Sequence, residues 1–129
     1  MNGSERTTRD IKVSVRSEFC DERSRPDKMQ WFFLYTVTIS NQSNETVQLL
    51  ERYWMITNSD GKVQTVRGPG VIGKQPVLKP GQSFEYTSGC PLDTELGCMH
   101  GYYTMATENR ELFKIDIAPF RLSCHALIH

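Results

Sequence analysis

Polar and apolar residues alternate with a period of two along most of this chain, and that period predicts strands rather than helices. Ile11, Val13, Val15, Ser17 and Phe19 interleave with Lys12, Ser14, Arg16 and Glu18, the pattern of a half-buried strand. In the next run, Trp31, Phe33, Tyr35, Val37 and Ile39 take one face, while Phe32, Leu34, Thr36 and Thr38 take the other. This predicts a central strand, covered on both sides at its start. Val47 to Thr57 is a third extended run. Asn58-Ser59-Asp60-Gly61 then gives the strongest hairpin signal, because Asp-Gly suits a turn with positive φ, and Lys62 to Arg67 returns from it. Phe84 and Tyr86 mark a short strand, followed by a long connection from Thr87 to Gly97 and a strand from Met99 to Ala106. Leu112 to Ile117 is the last clear strand, which Phe120, Leu122 and Cys124 extend beyond Pro119.

Strands of this length with hairpin-sized links and no helical pattern predict an all-β fold. The expectation is one immunoglobulin-like or fibronectin type III-like antiparallel β-sandwich of seven to eight strands. The polar residues 1–10 read as a flexible N-terminal tail, and residues 11–129 as a single domain. A chain of 129 residues with 38% hydrophobic and 10% aromatic content can build a real core.

Charge narrows the partners. Fifteen basic and fifteen acidic side chains cancel, so no whole-chain field favours nucleic acid or an anionic membrane. No apolar run approaches the roughly 20 residues needed to span a bilayer, and Met1 to Asp10 lacks the apolar centre of a signal peptide. The expected location is the cytoplasm, as a monomer or homodimer.

Cys20, Trp31 and Cys90 imitate the spacing of an immunoglobulin disulfide with its packing tryptophan, but Ser88 stands where the accompanying tyrosine belongs. Without an export signal, reduced thiols are the expected state. No C-x-x-C pair occurs, and Cys98 with His100 and Cys124 with His125 are too far apart in sequence to argue a zinc site, so no metal or cofactor is expected.

The stretch Gly68-Pro69-Gly70-Val71-Ile72-Gly73-Lys74 matches the letters of both G-x-G-x-x-G and the start of a P-loop. Both motifs need a helix after the loop, to bring amide groups to a phosphate. Here Pro76 and Pro80-Gly81 forbid that helix, Gln75 replaces the magnesium-binding hydroxyl, and Pro69 removes an amide. What remains is a candidate anion-binding loop of Arg67, Gly68, Gly70, Val71, Gly73 and Lys74, acting through backbone N–H groups. Its plain alternative is that the glycines simply let the backbone turn.

Catalytic candidates are few. Cys98 and His100 would share a strand face, yet no orienting acid accompanies them, and His125 and His129 lie near the end of the chain. No catalytic residue is assigned. Tyr53, Trp54, Tyr102 and Tyr103 form a candidate partner surface, since one member of each adjacent pair must face outward.

The chain resembles the bacterial ApaG (CorD) family from about Val13 to His129. The resemblance is carried by Tyr35-Thr36-Val37-Thr38-Ile39, Arg52-Tyr53-Trp54, Gly68, Gly70-Val71, Gly73, Gln75-Pro76, Pro80-Gly81, Gly97, Met99, Gly101, Tyr103 and Phe120-Arg121-Leu122. It implies a fibronectin type III-like sandwich, an association with cobalt and magnesium tolerance, no established enzymatic activity, and use as a protein-interaction module. It also implies a suggested pyrophosphate site at Gly68, Gly70 and Gly73. Lys74 departs from the family's acidic or apolar residue, and Ala118 separates Ile117 from Pro119 where the family has proline directly after isoleucine. Two functions follow as expectations: a non-enzymatic adaptor domain that binds another protein, or a binder of a phosphate-containing small molecule such as a dinucleoside polyphosphate.

Overall fold

The alternation places nine strands in two stacked antiparallel sheets in the computed structural model, which describes residues 2–124. In chain order they are β1 (Asn2–Thr8), β2 (Ile11–Phe19), β3 (Trp31–Asn41), β4 (Val47–Asn58), β5 (Val63–Pro69), β6 (Val77–Leu78), β7 (Ser83–Leu92), β8 (Leu96–Thr107) and β9 (Leu112–Ser123). One sheet runs β1-β2-β3-β7; the other runs β5-β4-β8-β9, with β6 added to β4. The all-β sandwich is as expected, and β1 and the two-residue β6 are additions to the strands read from sequence. The only helical pieces among the described residues are two single 3₁₀ turns, Asp21–Arg23 and Pro26–Lys28. No helix there is long and apolar enough to cross a membrane.

Val13, Val37, Ile39, Leu49, Trp54, Tyr103, Ile115 and Leu122 fill the space between the sheets. Two bulges decide which residues point there. The β4–β8 register slips between Leu49 and Glu51, so Leu50 is the extra residue. Inward positions therefore change from odd numbers (Val47, Leu49) to even ones (Trp54, Ile56). A second slip, opposite His100, absorbs Ala118 and Pro119 in β9, so Ile117 and Phe120 are both buried. Pro119 thus sits in a bulge inside one continuous strand.

Two sequence expectations are corrected. Residues 2–8, read as part of a tail, form an edge strand paired with β2 from Asn2↔Ser17 to Thr8↔Ile11. The turn joining them has positive φ at Arg9 (49°) and Asp10 (62°), the geometry of a two-residue hairpin without its usual glycine. The long connection from Thr87 to Gly97 is mostly strand, because β7 continues to Leu92. Gly89 and Pro91, which look like turn residues, are tolerated because β7 is an edge strand, and the Phe32 ring covers Gly89.

The sandwich is sealed on one side only. At the β1/β2–β9 side, the Ser4 hydroxyl donates to the Ala118 carbonyl and the Ser17 hydroxyl to the Arg121 carbonyl, each at 2.7 Å. On the opposite side, between β5 and β7, the sheets part into a cleft.

Two hairpins use the same turn with different residues. Asn58 and Thr107 each donate a backbone N–H to the carbonyl four residues ahead and accept from the amide three ahead, and each side-chain oxygen accepts the amide four ahead. The left-handed position is Gly61 in the first (φ 83°) and Arg110 in the second (φ 66°). Arg110→Gly is expected to stabilise the fold by about 1 kcal/mol, by removing the cost of a side chain at positive φ. Thermal unfolding should show a midpoint roughly 3 °C higher. An unchanged or lower midpoint would count against the shared geometry.

Candidate functional site

The glycine segment closes β5 and turns back beside the β4 bulge. The strand before it belongs to the β4–β5 hairpin, and extended chain leading to β6 follows it, so neither nucleotide motif has its context. Its polar groups are turned inward. The Gly70 amide donates to the Leu50 carbonyl at 2.8 Å; Val71 and Lys74 bond each other's backbone at 2.8 and 2.9 Å. Between them, Ile72 (φ 42°) and Gly73 (φ 78°) form the tip of a tight turn with consecutive left-handed residues. A β-branched residue there is strained, yet Ile72 is exposed. Val71 is fully buried and fixes the loop to the core.

Arg52 completes the loop. It faces inward because of the Leu50 bulge, and its Nη1 donates to the Pro69 and Gly70 carbonyls at 2.9 and 3.0 Å. Its guanidinium lies over Gly68, its cross-strand partner, where a Cβ would stand 3.0 Å from Nη2. Gly68 thus makes room for an arginine, and Gly70 for the Lys74 carbonyl. Sequence reading assigned Arg52 no role. The available signal was a cation in an apolar strand, in register with a glycine.

Arg67 and Lys74, grouped with this loop from sequence, serve different places. Arg67 lies on the outer face of the β5-β4-β8-β9 sheet, with its guanidinium 4.7 Å above the Tyr53 ring centre and Nη2 3.2 Å from the Tyr102 hydroxyl. Lys74 stands exposed at the end of the turn.

The four aromatic candidates divide as adjacent strand residues must. Trp54 (2% exposed) and Tyr103 (0%) point into the core, which removes them from the candidate partner surface. Tyr53 and Tyr102 stack on the outer face, ring centres 4.9 Å apart and planes 25° from parallel. Cations cap both ends of the stack: Arg67 over Tyr53, and Lys114 with Nζ 4.5 Å from the Tyr102 ring centre. The bond from Arg67 lowers the Tyr102 phenol below its ordinary pKa, and the same bond raises Arg67.

Inside, the Tyr86 and Tyr103 hydroxyls hydrogen-bond each other, and burial pushes both phenols upward, as it does Tyr35. Cys90 is buried, and desolvation raises its thiol to about 11. Cys20 follows the end of β2 and Cys90 lies on β7, on the two sides of β3 in the same sheet, and all four cysteines are free, so the immunoglobulin-type bridge between sheets does not form. Cys98 and His100 share the outer face of β8 opposite Thr57 and Met55. Among the described residues, no three His, Cys, Asp or Glu side chains gather where a metal ion could be held. His125 and His129 lie outside the described residues.

Comparison with known proteins agrees with this arrangement. The family model for the ApaG domain matches residues 21–107. Protein ApaG of Beijerinckia indica is 53% identical over 115 residues, covering 89% of this chain and 88% of that protein. Protein ApaG of Agrobacterium fabrum is 50% identical over 121 residues, covering 94% and 93%. A crystal structure from Bordetella pertussis, named as an ApaA protein, superposes with a TM-score of 0.86 at 45% identity, covering 91% of this chain and 95% of that one. With the domain matched across two-thirds of the sequence and full-length relatives at half identity, this chain belongs to the ApaG family.

Proposed function

We propose that this chain is a non-enzymatic adaptor domain that binds another protein through the outer face of the β5-β4-β8-β9 sheet. The observation that carries this reading is the Tyr53–Tyr102 stack held between Arg67 and Lys114. Large rigid aromatic surface flanked by cations is what interface hot spots are made of, and holding it in place before binding lowers the entropy cost. The flanking charges select a partner that presents an acidic side chain beside an apolar one. On this reading, the metal tolerance associated with the family acts through the partner rather than through a bound ion.

Phosphate binding by the glycine loop is the weaker reading. The Gly70 amide already bonds the Leu50 carbonyl of β4, the Val71 and Lys74 amides bond within the loop, Pro69 has none, and Arg67 is engaged by the tyrosines.

The test compares proteins retained from a native extract by the wild type and by a Tyr53→Ala/Tyr102→Ala variant. Both rings lie on the outer face, so the variant should fold. A specific partner should be lost at least about tenfold, since each buried aromatic anchor contributes on the order of 1–2 kcal/mol. Val77→Ala, an exposed site on β6, should retain it. Equal retention by the tyrosine variant would remove this reading.

A further inference from the structure

The unsealed side of the sandwich holds a cleft of about 200 Å³ between β5 and β7. Its wall is chemically one-sided. Arg52 is its one charged lining residue, accompanied by the hydroxyl-bearing side chains of Tyr35 and Ser88. Trp54, Val66 and Met99 supply apolar surface. No acidic side chain lines it. Cys90, also in the wall, keeps its proton at neutral pH because burial raises the thiol, and Tyr35 keeps its own for the same reason.

One polar group here is incompletely matched. Arg52 faces the interior of a sandwich, with two backbone carbonyls on Nη1 as its hydrogen-bonding partners, and the ion pairs among the described residues involve Arg9 and Lys12 instead. The Trp54 ring lies in the same wall, so its indole N–H signal reports on whatever enters the cleft. A single cation sets the charge of a matching ligand at minus one. The volume suits about ten non-hydrogen atoms, below the usual range for larger ligands.

We propose that this cleft binds a small organic carboxylate, with its anionic head on the remaining Arg52 donors and its apolar body against Trp54, Val66 and Met99. This site differs from the glycine loop in orientation and chemistry. The loop's contribution is to hold Arg52, through the Pro69 and Gly70 carbonyls, at the cleft wall.

Benzoate is the probe, with benzamide as its neutral counterpart and inorganic phosphate as an anion without an apolar body. The readout is the amide and indole N–H spectrum of ¹⁵N-labelled protein. Benzoate should shift the Trp54 indole signal saturably at about 10 mM or below, as for a millimolar site, while the Trp31 indole stays put. Benzamide and phosphate should each act at least about tenfold more weakly, as expected when a charge-assisted pair or the apolar contact is missing. Arg52→Met should weaken benzoate at least about tenfold. Because that change also frees the loop carbonyls, Val66→Phe provides a second variant. It fills the cleft, leaves Arg52 in place, and should abolish the response. An unmoved Trp54 signal, an equal response to benzamide or to phosphate, or undiminished binding in Val66→Phe would each overturn the proposal.

Discussion

Gly101→Ala is expected to cost about 3 kcal/mol or more, a large share of the stability of a domain this size. Gly101 lies on β8 directly opposite Trp54, beside the slip in register that accommodates Ala118 and Pro119. A Cβ built there would sit 1.9 Å from the Tyr53 carbonyl oxygen and 2.9 Å from its carbon. These are backbone atoms in the middle of a paired strand, so no rotamer change relieves the clash. The strands must separate, which loosens the Tyr53–Tyr102 stack on one face and the packing of Trp54 and Tyr103 on the other. Urea unfolding should show a strongly lowered midpoint. An unfolding free energy within a few tenths of a kcal/mol of wild type would mean that the strands do not approach this closely.

The second large effect separates two glycines of the loop that resemble each other in sequence. Both have positive φ, 61° at Gly70 and 78° at Gly73. Around Gly73 there is open space, whereas a Cβ on Gly70 would meet the Lys74 carbonyl oxygen at 2.3 Å. Gly73→Ala should therefore cost only the left-handed penalty, about 1 kcal/mol. Gly70→Ala adds a backbone collision and should cost roughly 3 kcal/mol, because the loop must open and release Arg52. Equal losses in paired denaturation curves would refute this division of roles. A loop built chiefly to present Gly73 to a ligand would show the reverse pattern in binding, and this measurement can run beside the first.

Much of the fold was legible because alternation survives where a strand has one buried face. β2 and β3 follow their predicted faces from end to end. The strands that escaped detection lack that contrast. β1 is polar on both faces and enters its hairpin through Arg9-Asp10, where no glycine marks the turn. The second half of β7 carries Gly89 and Pro91, whose local preferences oppose a strand but cost little at an edge. The site was harder to read for a different reason. Alternation assigns faces only relative to a starting point, and the extra residue at Leu50 resets it. Knowing that one of Tyr53 and Trp54 faces outward did not say which, and the same reset turned Arg52 inward, where no pattern in the sequence placed it. The absence of a helix after the glycines was legible, since Pro76 and Pro80 exclude one on local grounds.

The one-sided seal of the sandwich bears on how the molecule avoids sticking to itself. Unpaired strand edges are templates for aggregation, and a four-edged sandwich has to manage each of them. Ser4 and Ser17 cover carbonyls along β9 with side chains of the opposing sheet, which spends the edges at β1 and β9 on each other. The two edges beside the cleft carry a proline apiece, Pro69 in β5 and Pro91 in β7, with Gly68 and Gly89 close by. Each proline removes a ladder donor and shortens the stretch on which a foreign strand could be laid down. Recognition by backbone pairing is thereby discouraged at the cleft-side ends of β5 and β7, and specificity there is left to side chains on the faces and in the cleft.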